Sequence, residues 1–158
     1  DAEGIPIEPL QSALIDVSKR LARHIAKDGE GATRLITIRV SGAAGEREAR
    51  EVGRLIATSP LCKTAVNGRD PNWGRILAAA SRHGTPITID QATVKIGGAL
   101  LFANNRPHPE HEAAASQHMR DNDEVLIEID LAYGPFDAEV WTCDFSADYV
   151  SINADYRT

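Results

Sequence analysis

The chain has 158 residues, 42% of them apolar and 25% charged, with a formal net charge of −6 and a pI near 5.3. That length gives room for a real core within one domain, residues 1–158. The acidic balance speaks against nucleic acid and anionic membranes as partners, and no apolar run nears the ~20 residues of a membrane span.

The start, DAEGIPIEPL, has neither the basic residues nor the apolar stretch of a signal peptide, and Gly4 and Pro6 predict an extended segment over residues 1–8. Pro9 opens a helix in which Leu10, Leu14, Val17, Leu21 and Ile25 step by three or four, a stripe expected to face the core. Asp28-Gly29 ends it. Leu35 to Ser41 alternates Ile36, Ile38 and Val40 with Thr37, Arg39 and Ser41, a strand with one wet face. Glu46 to Ala57 is a second helix carrying Ala49, Val52 and Ile56 inward, stopped by Ser59-Pro60. Its Glu46–Glu51 turn reads as exposed and laced with ion pairs.

Leu61 to Val66 reads as a buried strand, followed by a polar loop and a helix with a strongly marked start. Asp70 or Asn72 can accept from free first-turn amides, Pro71 needs no donor, and Trp73, Ile76, Leu77 and Ala80 give one apolar face. Short β runs follow at Ile87–Ile89, Thr93–Ile96 and Ala99–Ala103, with turns at Asp90-Gln91 and Gly97-Gly98. A fourth helix is predicted from about Pro109 to Met119. Strands are predicted at Glu124–Ala132, Ala138–Asp144 and Tyr149–Asn153, with Gly134-Pro135 as a turn. The order argues for an α/β (α+β) fold, with helices packed on a mixed sheet in two layers or a sandwich. Cys62 and Cys143 both fall in predicted strands and read as buried free thiols, which suits a reducing, cytoplasmic setting.

Several places could carry chemistry. In Lys27–Thr33, two glycines flank Glu30 on a compact loop, where a carboxylate could grip a substrate ammonium. A helix-stop loop with a solvated glutamate explains the same residues. At the C-terminus, Val150, Ile152 and Tyr156 could dock the tail, so that Asn153 and Thr158 offer an amide, a hydroxyl and a terminal carboxylate. A frayed end is the plain alternative. Asn67, Arg69 and Arg75 beside a helix start could hold an anion, or simply satisfy backbone groups. His108, His111 and His118, with Glu110 and Glu112, have poor spacing for one metal and read as a solvated helix face. His24 and His83 stand alone near helix ends.

Three strings carry a family resemblance: SPLCKTAVNGRDPNWGRILAAA, DGEGAT and INADYRT. In order and content they resemble the arginine-biosynthesis ornithine acetyltransferases, also called glutamate N-acetyltransferases, and the likeness runs from about Leu21 to Thr158. It implies a fold of the DmpA/ArgJ type and transfer of an acetyl group from N-acetylornithine to glutamate, with acetyl-CoA as a further donor in some members. No metal or other cofactor is implied. Matched position by position, Glu30, Asn153 and Thr158 would be substrate-binding residues, with Asp28 structural. Family precursors cleave themselves to free an N-terminal threonine on a β chain, and that threonine carries the acetyl group. The oxyanion hole lies on the α chain.

This sequence begins at Asp1 and its first threonine is Thr33, so it is expected to be the C-terminal portion of a β chain. Its expected partners are the α chain and the preceding β segment, in an α2β2 assembly, and it should be inert alone. Cys62, where an aliphatic residue is expected, reads as a harmless core exchange. A non-catalytic small-molecule-binding or assembly domain on the same scaffold is the alternative.

Overall fold

The computed structural model describes residues 6–84 and 87–155. Its strands are β1 (Leu35–Ala43), β2 (Thr93–Ile96), β3 (Ala99–Ala103), β4 (Arg106–Pro107), β5 (Glu124–Asp130) and β6 (Phe136–Cys143). They form one mixed sheet in the order β4-β3-β2-β5-β1-β6. β1 pairs in parallel with β5, from Leu35↔Glu124 to Ser41↔Asp130, and antiparallel with β6, from Leu35↔Cys143. Two tight turns fold the far side. Gly97 and Gly98, at φ of 57° and 80°, join β2 to β3, and Asn104 and Asn105, at 50° and 55°, join β3 to β4. Two successive residues at positive φ match the twist of the strands they connect.

The register sets one apolar face. Ile36, Ile38 and Val40 lie beside Val125, Ile127 and Ile129, with Val94 and Ile96 next across the sheet, and all are buried. Helices α2 (Glu46–Ala57), α4 (Trp73–Ala80) and α5 (Glu112–Asp121) contribute Ala49, Val52, Ile56, Ile76, Ala80, Ala115 and Met119 to the same core. Gly53 brings α2 close to β6, for a Cβ there would stand 2.7 Å from Val140 Cγ2. Trp73 stacks on Phe102 at 4.7 Å. The other face is polar. Arg39 pairs with Glu128 at 3.6 Å and Glu139 at 3.4 Å, and Thr37 donates to Glu124 at 2.5 Å. This is the arrangement of helices packed on a mixed sheet expected from the order of the elements.

Two predicted strands are helices. Leu61–Val66 lies inside α3 (Pro60–Asn67), because Ser59 Oγ accepts from the Cys62 amide and Pro60 takes the first turn. Tyr149–Asn153 lies inside α6 (Ala147–Asp155), where Ser146 Oγ accepts from the Tyr149 amide at 2.9 Å. In both, a serine cap outweighs β-branched content too short to make a strand. Ile87–Ile89 also forms no strand, as the Gln91 and Ala92 amides turn back on the Thr88 carbonyl. The helix expected at Pro109 starts with a 3-10 turn, Pro109–His111, before α5.

The first helix corrects a larger expectation. α1 spans Ile7–Lys27, so Ile7 and Glu8 are helical rather than extended, and residues 1–5 lie outside the described residues. Its stripe does not face the core. Leu10, Leu14, Val17, Leu21 and Ile25 are 54–77% exposed, and only Ala22, Arg23 and Ala26 are half-buried. Helical spacing shows that a face is apolar, not what meets it. α1 touches the body through its last turns, where Arg23 reaches Glu124 at 2.6 Å. Leu14→Glu should therefore change the stability of this chain by less than about 0.5 kcal/mol in chemical denaturation. A loss of several kcal/mol, as for a core leucine, would show that α1 is packed in solution.

Candidate functional site

The glycine-flanked loop after α1 is held by the segment that leaves β6. Asp144 is fully buried. Its carboxylate accepts from the Thr33 amide (2.7 Å), the Thr33 hydroxyl (2.7 Å), the Arg34 amide (2.9 Å) and Asn67 Nδ2 (2.7 Å). Burial alone would raise its pKa, but these donors outweigh that cost and hold it below its ordinary 3.8. Two residues on, Ser146 Oγ donates to the Gly31 carbonyl while capping α6. Gly31 sits at φ 75°, and a Cβ there would strike the Tyr149 backbone. Gly29 packs against Cys143, where a Cβ would come 3.0 Å from Sγ.

Glu30 stands between these anchors, exposed, and its carboxylate has no hydrogen bond or ion pair with any described residue. Asn153 is on α6, exposed, its Nδ2 donating to the Tyr149 carbonyl at 2.8 Å. The loop thus rests on the first turn of the helix that carries Asn153. Thr158 and Tyr156 lie outside the described residues. Around the α6 start, Tyr149 and Phe145 pack at 4.8 Å between ring centres, with Lys63 Nζ over both rings at 5.4 and 5.2 Å.

The other candidates are otherwise engaged. Asn67 turns to Asp144, Arg75 donates to the Leu61 carbonyl at 3.0 Å, and the Arg69 carbonyl accepts from Ser116. The Asn67 and Arg75 side chains thus point to different partners rather than to one anion, while the bond at Arg69 is to its backbone. Asn72, not Asp70, caps α4, accepting from the Arg75 amide at 3.1 Å. His111 bonds the Leu100 carbonyl at 2.8 Å, and His118 accepts from the Leu126 amide at 3.3 Å. Both are half-buried, His111 bracing the 3-10 turn and His118 bracing α5 against the sheet, where a solvated face was expected. His83 lies against Glu51 at 3.0 Å. Among the described residues, no group of three His, Cys, Asp or Glu could hold a metal. Cys62 and Cys143 are buried and free, and burial pushes the Cys62 thiol up.

A family model described as the ArgJ family matches residues 2–158. The chain belongs to the ArgJ family. It is 50% identical over 147 residues to the arginine biosynthesis bifunctional protein ArgJ of Deinococcus radiodurans, covering 93% of this chain and 37% of that protein. To the ArgJ of Bacillus subtilis it is 42% identical over 148 residues, covering 94% of this chain and 36% of that relative. It therefore spans well under half the length of these ArgJ relatives. A crystal structure of ArgJ from Bacillus halodurans matches with a TM-score of 0.92 at 36% identity, over 99% of this chain and 73% of that one.

Asp144 was not among the residues singled out from sequence. A signal was available, since Ser146 followed by Ala147-Asp148 marks a helix start, and an aspartate two residues earlier closes a strand. Asp144→Asn should lower stability at neutral pH by about 1.5–3 kcal/mol, because an amide must turn a donor toward donors. The folded carboxyl titrates below 3.8, so its contribution is complete above that value and lost as pH falls through the lower folded one. Denaturation at several pH values should show wild type and variant converging only in strong acid.

Proposed function

We propose that this chain is the C-terminal part of an acetyltransferase that moves an acetyl group from N-acetylornithine to glutamate through an acetyl-threonine intermediate. The nucleophilic threonine would come from outside these residues, with its α-amine taking the hydroxyl proton as the carbonyl is attacked. Acetyl-CoA is a possible second donor. Glu30 would take the substrate's ammonium group, with Asn153 and Thr158 completing the contacts. The observation that carries this reading is the unspent Glu30 carboxylate on a loop fixed on both sides, in a chain of the ArgJ family.

The exposed stripe of α1 supports the partnership part of the reading. Such a face on a long helix calls for a cover, which an α chain and a preceding β segment in an α2β2 assembly would supply. Residues 1–158 would act as one domain within it. A cytoplasmic setting fits two free thiols, and no helix among the described residues is long and apolar enough to cross a membrane.

The purified 158-residue chain should show no acetyl transfer from N-acetylornithine, and turnover by it alone would refute the reading. In the full-length protein, Glu30→Gln should raise KM or lower kcat/KM for N-acetylornithine about ten- to a hundredfold, the worth of a charge-assisted hydrogen bond. Thr158→Val and Asn153→Ala should each cost less, as neutral partners. Unchanged kinetics for Glu30→Gln would leave Glu30 a plain loop residue.

A further inference from the structure

We infer that Asp144 and Ser146 are positioning residues for Glu30, acting through the loop backbone and not on substrate. The inference rests on the substrate-binding reading of Glu30. A carboxylate on a free loop would lose conformational freedom each time it closed on a ligand, at roughly 1–2 kcal/mol per ordered residue. Here that ordering is already done. The Ala32 amide closes the turn on the Gly29 carbonyl at 2.9 Å, Ser146 holds the Gly31 carbonyl, and Asp144 holds two consecutive amides at Thr33 and Arg34. Gly29 is wedged against Cys143.

The side-chain hydrogen bonds that hold the loop backbone from outside thus come from Asp144 and Ser146, and none of them uses the Glu30 side chain. The arrangement fixes the backbone that carries Glu30 while leaving all the lone pairs of its carboxylate for a ligand cation. Asn67 adds a tie from α3 to the same buried carboxylate. Ser146 also caps α6, so one hydroxyl sets the spacing between the Glu30 loop and the helix bearing Asn153. Residues that pre-order a binding group act by removing part of the cost of binding.

The test is a double-mutant cycle in the full-length protein, reading KM and kcat for N-acetylornithine. Ser146→Ala and Thr33→Val should each raise KM about threefold to tenfold with kcat little changed, and Thr33→Ser should restore the wild-type value. Placed on Glu30→Gln, either change should add almost nothing, because its effect passes through a group already lost. A merely structural role predicts effects that multiply with Glu30→Gln, and that result overturns the proposal while leaving Glu30 in the site. A wild-type KM for Glu30→Gln itself would instead sink the reading of Glu30 and this inference with it. As a second measure, hydrogen exchange at the Gly31–Arg34 amides should be faster in Ser146→Ala than in wild type. Exchange as slow as in wild type would show that the loop is ordered without Ser146 and overturn its role.

Discussion

A carboxylate shut away from water must be met by donors or it will take up a proton, and Asp144 is met by four. Three come from the entry to β1 and one from α3, while Asp144 itself leaves β6. A single charge therefore joins the start of β1, the end of its antiparallel neighbour β6 and the helix beside them. The junction lies where β1 and β6 meet at Leu35↔Cys143, so the register of that pair and the shape of the glycine-flanked loop are one problem. A slip by one residue would turn Ile36, Ile38 and Val40 outward and carry the carboxylate away from the amides it serves.

The elements that could be read from the sequence are those whose own residues decide their fate. β1 alternates apolar and polar residues in sequence, though Thr37 is buried as well, α2 carries an acidic first turn and a buried face, and Gly97-Gly98 permits a turn that few other pairs allow. Two of the failures have a cause in common. Leu61–Val66 and Tyr149–Asn153 are short apolar stretches in which strand and helix look alike, and a serine just upstream decided both. β4 was missed because two residues show no period, although Asn104-Asn105 tolerates the turn that makes it. For α1 the period was right and the destination wrong, since a stripe of leucines says nothing about which surface receives it.

The candidate site was legible in part for a similar reason. Glu30 stands out as a candidate because glycines on both sides mark an unusual loop, and its proposed role comes from the resemblance carried by DGEGAT. Asp144 and Ser146 could not be tied to it by spacing, for over a hundred residues separate the partners and only the pairing of β1 with β6 brings them together. Composition and motif show which residues have unusual surroundings, while tertiary pairing shows which residues create those surroundings.

The place of β1 in the sheet bears on how the chain is made. It lies between β5 and β6, so both of its neighbours come from the stretch after residue 123. A ribosome releases the chain from its N-terminus, and β1 must wait with two open edges through α2, α3, α4 and α5 before either partner exists. Such distant pairing makes for slow folding and a long exposure of hydrogen-bonding edges. Of the intervening helices α2 packs on β1 and offers its apolar face a cover during that wait, and Arg39 keeps the other face polar.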